Sequence, residues 1–139
     1  MKKVLLISVK PEFASKIFNG EKRIELRKIK PNIKKGDIVV IYESSPTMAL
    51  KGSFIVNEVV SGCPDTLWNT YSAIAGISRQ KYELYYQNHE KAYGIVFNEI
   101  SEYKVPLSLE LLRKLWDGFA PPQSYRYLSY EDSEKLAWL

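Results

Sequence analysis

Gly20-Glu21-Lys22-Arg23-Ile24-Glu25-Leu26-Arg27 is the stretch whose reading decides the fold. Just ahead of it, Pro11 suits the first turn of a helix, where its missing N–H costs nothing. Phe13 with Ile17, and Ala14 with Phe18, fall at i,i+4 and give that helix one apolar face. Asn19-Gly20 reads as its stop, because glycine tolerates the left-handed conformation of a helix cap. A strand is then expected over 22–28, carrying Lys22, Arg23, Glu25 and Arg27 around Ile24 and Leu26. Charge packed at a helix-to-strand corner points to a recognition or catalytic surface for an anion. The alternative is an edge strand whose charges prevent aggregation.

Working outward, Val4–Val9 is a short apolar run and reads as a buried first strand. Lys34-Lys35-Gly36-Asp37 is a turn leading into a third strand over 38–42, apolar throughout and therefore central. A fourth strand is expected over 49–60, ending near Gly62, with Gly52 at a bulge. Two helices follow near 64–74 and 78–88, the second capped by Ser78 and stapled by Ile77 and Tyr82. Residues 92–103 read as a long fifth strand, and Ser108 caps a helix stopping at Gly118. An irregular stretch and a last helix near 130–138 close the chain. Five strands with short peripheral helices and few helix-length crossovers predict an α+β fold, a small mixed β-barrel or strongly curled sheet. At 139 residues without an internal repeat or linker, a single domain over 1–139 is expected.

Composition narrows the function classes. One cysteine, Cys63, leaves no disulfide framework, and with a single histidine, His89, the chain lacks the clustered ligands of a zinc site. The apolar start is broken at Ser8 and Lys10 without a cleavage pattern, and no run reaches the length of a membrane span. A soluble, cytoplasmic protein with no membrane partner is expected. Charge is unevenly placed: residues 1–36 carry 11 Lys/Arg against 3 Asp/Glu, whereas residues 37–139 carry 9 against 13. Concentrated basic charge is the footprint of a phosphate or nucleic-acid partner, although Lys2, Lys3, Lys34 and Lys35 also suit solvated turns.

Gly20-x-Lys22-x-x-Glu25-x-Arg27 resembles the G-x-K-x-x-E-x-R signature of the ASCH domain, a family of the PUA-like superfold. The flanking elements match too: a strand and the Lys10-Pro11 helix before the motif, then Lys35-Gly36-Asp37 and an apolar strand after it. The likeness covers a core of roughly 4–104, with 64–88 inserted between barrel strands. The C-terminal extension, 105–139, holds Gly118-Phe119-Ala120-Pro121-Pro122-Gln123-Ser124-Tyr125-Arg126-Tyr127-Leu128, which looks like the tail of stand-alone ASCH proteins. The resemblance implies a β-barrel with a cleft beside the motif. It also implies RNA or a modified nucleoside or nucleotide as partner. Some small relatives are similar to amidohydrolases that deacylate a modified cytidine, such as N4-acetylcytidine, and others have been proposed as ribonucleases. In the amidohydrolase group the position matching Lys22 is catalytic and the one matching Glu25 is threonine, so the glutamate here departs from that pattern.

The candidate residues follow. Lys22, if desolvated, serves as a base or nucleophile; otherwise it grips phosphate. Glu25 suits an exocyclic amine, a general base or an ion pair with Arg27, which itself suits a bidentate grip on phosphate. A regular strand would put Lys22 opposite Glu25 and Arg27; only a bulge, or the strand's beginning near residue 22, brings them into one cleft. Lys10 precedes the first helix, and Glu43 and Ser44 end a buried strand at a pocket mouth. In the tail, Gln123, Ser124 and Arg126 stand among Tyr125 and Tyr127, a mixture suited to unpaired bases. The expected function is an ASCH module binding RNA or a modified nucleotide in a basic cleft, with Lys22 and Glu25 as the catalytic pair if chemistry occurs. The alternatives are a nucleoside amidohydrolase and a protein-binding transcriptional co-regulator. No metal or cofactor is implied.

Overall fold

The computed structural model describes residues 2–136. Its six strands are β1 (Val4–Val9), β2 (Ile24–Arg27), β3 (Ile38–Glu43), β4 (Ala49–Gly62), β5 (Ala92–Ser108) and β6 (Tyr125–Leu128). They form one curled half-barrel sheet in the order β2-β5-β4-β3-β1-β6. Only β1 and β3 run parallel; the other neighbours are antiparallel. Five short helices decorate it: α1 (Pro11–Phe18), α2 (Pro64–Ala75), α3 (Arg79–Tyr85), α4 (Leu109–Leu115) and α5 (Tyr130–Glu134). None of the helices among the described residues is long and apolar enough to cross a membrane.

Three packed clusters hold the sheet. Leu5, Ile7, Val39, Ile41, Phe54 and Phe97 fill the concave face beneath α1, with the Phe54 and Phe97 rings stacked at 3.8 Å. Leu6, Val40, Tyr42, Leu50, Leu112 and Trp116 fill the opposite face beneath α4. Strands β1 and β3 are thus buried on both faces, which is why they read as unbroken apolar runs. Ile24 and Leu26 meet Leu67, Ala75, Tyr82 and Tyr86 of the α2–α3 insert. Alternation along β2 then turns Glu25 and Arg27 away from that cluster.

The structure corrects the count of five strands. The sixth, β6, pairs antiparallel with β1, Ile7 opposite Tyr125 and Val4 opposite Leu128. Its Tyr-Arg-Tyr-Leu sequence is too short and mixed to announce a strand, and the free edge of β1 supplies the reason it forms. Strand β5 also continues past residue 103 to Ser108. Its ladder with β4 jumps from Glu102 to Leu107, so Pro106, without an N–H to give, sits where no pair is made. The register slips at Gly52 as expected, where a methyl group would lie 2.2 Å from the Ser101 carbonyl oxygen. Helix α4 ends at Leu115, short of Gly118. The last helix ends at Glu134, and the end of the range expected for it, 137–138, lies outside the described residues.

Candidate functional site

A cleft of about 320 Å³ opens between the two edges of the sheet. On one side stand Lys22 and β2 with Glu25 and Arg27; on the other, the chain entering β6 with Gln123 and Ser124. Strand β2 begins only at Ile24, so Lys22 escapes strand alternation and its side chain reaches the same cleft as Glu25 and Arg27. Its backbone is fixed by a bond from its N–H to the Lys16 carbonyl, 3.0 Å.

Lys22 is only 3% exposed. Its Nζ donates to the Ala75 carbonyl at 2.6 Å, and Lys16 Nζ donates to the Gly76 carbonyl at 3.2 Å. Two ammonium groups therefore cap the C-terminal end of α2, where the helix dipole favours positive charge. Burial nonetheless pushes the Lys22 amine below its ordinary value, and the nearby Glu25 charge opposes that shift. The ammoniums of Lys16, Lys22 and Lys81 all lie within 6.0 Å of the centre of the Phe13 ring, which forms one wall.

Arg27 is 9% exposed and stitches the sheet edges together. One terminal nitrogen donates to Glu25 Oε2 at 3.0 Å and the other to Ser124 Oγ at 2.6 Å. Its Nε–H is buried with no acceptor among the described residues. The tail is held in turn by Ser8, whose Oγ donates to the Pro122 carbonyl at 2.6 Å and whose N–H donates to the Ser124 carbonyl at 3.1 Å. Tyr85 forms the far wall; its hydroxyl donates to the Leu26 carbonyl at 3.3 Å, and burial raises its pKa.

Of the residues singled out from sequence, Lys10, Lys22, Glu25, Arg27, Gln123 and Ser124 line this cleft together. Glu43 does not: it accepts from Thr47 Oγ1 and faces a separate depression beside Pro11 and Phe18. Ser44 is tied to the Val9 carbonyl through its N–H, 2.9 Å, behind the cleft wall. Arg126 alternates to the other face of β6, its guanidinium 5.2 Å from the Phe119 ring and 3.9 Å from Asp132. Ser8, Phe13, Ile77 and Tyr85 were not anticipated. Two of them left signals: Ser8 interrupts an otherwise apolar strand, and Tyr85 lies off the Tyr82–Tyr86 i,i+4 stripe that faces the core. Among the described residues no group of three His, Cys, Asp or Glu side chains is placed to hold a metal ion.

The ASCH domain model matches residues 7–104 of this chain. The chain belongs to the ASCH domain family. An ASCH domain-containing ribonuclease from Zymomonas mobilis is 32% identical over 138 residues, covering 99% of this chain and 93% of the relative. The crystal structure of ASCH from Zymomonas mobilis matches with a TM-score of 0.93 at 32% identity, covering 99% of this chain and 95% of that one. That ASCH structure is matched over nearly the whole chain, tail included. The N-terminal domain of Staphylothermus marinus McrB shares the fold alone, with a TM-score of 0.61 at 12% identity over 99% of this chain and 94% of that one.

Proposed function

We propose that this ASCH protein, acting as one domain, binds single-stranded RNA with one nucleotide in the cleft and cleaves the strand there. The observation that carries the reading is two buried basic side chains, Arg27 and Lys22, brought together with Glu25 in one cleft. A guanidinium and a lysine side chain lining one largely desolvated cleft favour a ligand that brings an oxygen acceptor to it. Phosphate and base carbonyls both supply such an oxygen. The relative from Zymomonas mobilis, similar over 93% of its length and named a ribonuclease, supports RNA over other anions.

In this reading Lys22, whose pKa burial lowers, acts in its unprotonated form and takes the proton of a ribose 2′-hydroxyl as that oxygen attacks the adjacent phosphorus. Arg27 offsets the charge gathering on the phosphate oxygens. The bond to the 5′-oxygen breaks, that oxygen takes a proton from water, and the products carry a 2′,3′-cyclic phosphate and a 5′-hydroxyl. Glu25 holds Arg27 in place. The test is incubation of end-labelled single-stranded RNA, duplex RNA and single-stranded DNA with the protein and with Lys22→Met purified in parallel. Cleavage confined to single-stranded RNA and lost in Lys22→Met is expected. Cutting of DNA, which has no 2′-hydroxyl, or full activity in Lys22→Met refutes it.

A second reading rests on the same buried lysine next to a carboxylate: hydrolysis of an acylated exocyclic amine such as that of N4-acetylcytidine. Chromatography of that nucleoside after incubation decides between the two. The protein-adaptor reading calls for an apolar cleft, and four charged residues lining this one run against it.

A further inference from the structure

A second depression, of about 400 Å³, opens farther along the same sheet edge, lined in part by Lys2, Lys3, Asn32, Tyr127 and Tyr130. A continuous series of contacts joins it to the cleft. The Arg27 guanidinium lies 5.8 Å from the Tyr125 ring, which meets the Tyr127 ring edge-on at 5.8 Å. The Tyr127 hydroxyl accepts from the Asn32 N–H at 2.7 Å, and Lys3 Nζ donates to the Asn32 carbonyl at 3.1 Å. Tyr125 and Tyr127 are two apart on β6, so both rings stand on the face that carries the cleft.

Two features of this groove go beyond what packing requires. Tyr127 is 41% and Tyr130 57% exposed, large rings left in solvent where burial would contribute more. The loop from Lys28 to Gly36 that borders them carries four exposed lysines and no acidic residue. Cations interleaved with exposed rings match a single-stranded nucleic acid, whose phosphates need charge and whose unpaired bases need a stacking surface. An acidic peptide would use the lysines and leave the rings idle.

We infer that the RNA strand leaving the cleft runs along β6 into this groove, with phosphates against Lys2 and Lys3 and an unpaired base stacked on Tyr130. The inference rests on the ribonuclease reading for its ligand but makes a separate claim about length. The test compares kcat/KM for a dinucleotide and an octanucleotide, in the wild type and in a Lys2→Ala/Lys3→Ala/Tyr130→Ala variant; Tyr127 is spared because its hydroxyl ties down Asn32. Thermal melting checks that the variant is folded.

In the wild type the octanucleotide should be favoured by roughly tenfold or more, and the variant should lose that preference while keeping its dinucleotide rate. Losing two phosphate contacts should also flatten the dependence of log affinity on log salt by about 1.4. A variant that keeps the length preference overturns the track and leaves the ribonuclease reading standing. If the wild type cuts neither substrate, the ribonuclease reading fails. Fluorescence anisotropy with the same oligomers then decides the track: a longer-oligomer advantage that the variant lacks sustains it, and equal affinity for both lengths overturns it. Poly-glutamate displacing the octanucleotide as well as RNA does would also overturn it, since the rings would then contribute nothing.

Discussion

Gly76→Ala should unsettle both the stability of the protein and the position of its buried lysine. Gly76 ends α2 with φ +60°, a left-handed conformation that costs a residue with a Cβ roughly 1–2 kcal/mol. Its added methyl would also lie 2.7 Å from Lys22 Cβ and 3.3 Å from Lys22 Cα. Those atoms belong to or adjoin the backbone and cannot swing aside, so overpacking adds about 1–3 kcal/mol. The total, about 2–5 kcal/mol, corresponds to a fall in Tm of about 6–25 °C for a domain of this size. Relief of the clash moves either Lys22 or the end of α2, loosening the Lys22 Nζ bond to Ala75 and the Lys16 Nζ bond to Gly76. RNA cleavage, measured well below the lowered Tm, should fall as well. Gly118→Ala is the control: Gly118 also has positive φ, +70°, yet a methyl there meets nothing within 4 Å. Calorimetry should therefore find Gly76→Ala less stable than Gly118→Ala by the packing part alone. Equal Tm values in the two variants, with cleavage intact in both, would refute the claim that this turn seats the lysine.

Three further outcomes are expected. Cleavage should rise with pH as Lys22 loses its proton, in a range below the ordinary lysine value of 10.5; Lys22→Met, assayed across the same range, should lack that limb. Across that window the unfolded chain holds a proton on Lys22 that the folded chain lacks, so stability by urea denaturation should rise with pH, and the rise attributable to Lys22 should vanish in Lys22→Met. Arg27→Ala leaves Glu25 buried and unpaired and should cost about 3–5 kcal/mol in urea unfolding, whereas the double change Glu25→Gln/Arg27→Met should cost less than Arg27→Ala alone. Ser8→Ala removes the hydroxyl bond to the Pro122 carbonyl; it should cost about 1 kcal/mol and speed proteolysis of the segment between Gly118 and Ser124, and unchanged proteolysis would mean the tail is held elsewhere.

Local chemistry is legible in the sequence wherever a residue's own conformation or its i,i+4 neighbours decide the outcome. Pro11 does open α1, Gly20 follows its end with φ +87°, and the Ser78 and Ser108 hydroxyls accept from Lys81 N and Leu111 N as helix caps. The unbroken apolar runs of β1 and β3 reported burial on both faces, since a strand with a solvated face must alternate. The octapeptide motif located the wall of the cleft and identified the family, because its lysine, glutamate and arginine lie within six residues of contiguous chain.

The opposite wall was set by contacts far apart in sequence. Ser124 lies 97 residues from Arg27 and meets it only because β6 adds to the edge of β1 while β2 adds to the far edge of β5, and the curl of the sheet brings those edges together. Glu43 and Arg126 have chemistry as suitable, but Glu43 opens onto a separate depression beside α1 and Arg126 points to the other face of β6. Whether Lys22 shares a face with Glu25 depended on where β2 begins, and that start is fixed by Lys22 N–H reaching Lys16 and Arg23 N–H reaching Ile74. Burial lowers the Lys22 pKa, and the α2–α3 insert whose Ala75 carbonyl Lys22 reaches lies 53 positions downstream at that contact. Residue type and local spacing named the groups able to do chemistry; strand order, curl and burial decided which of them share one low-dielectric cleft.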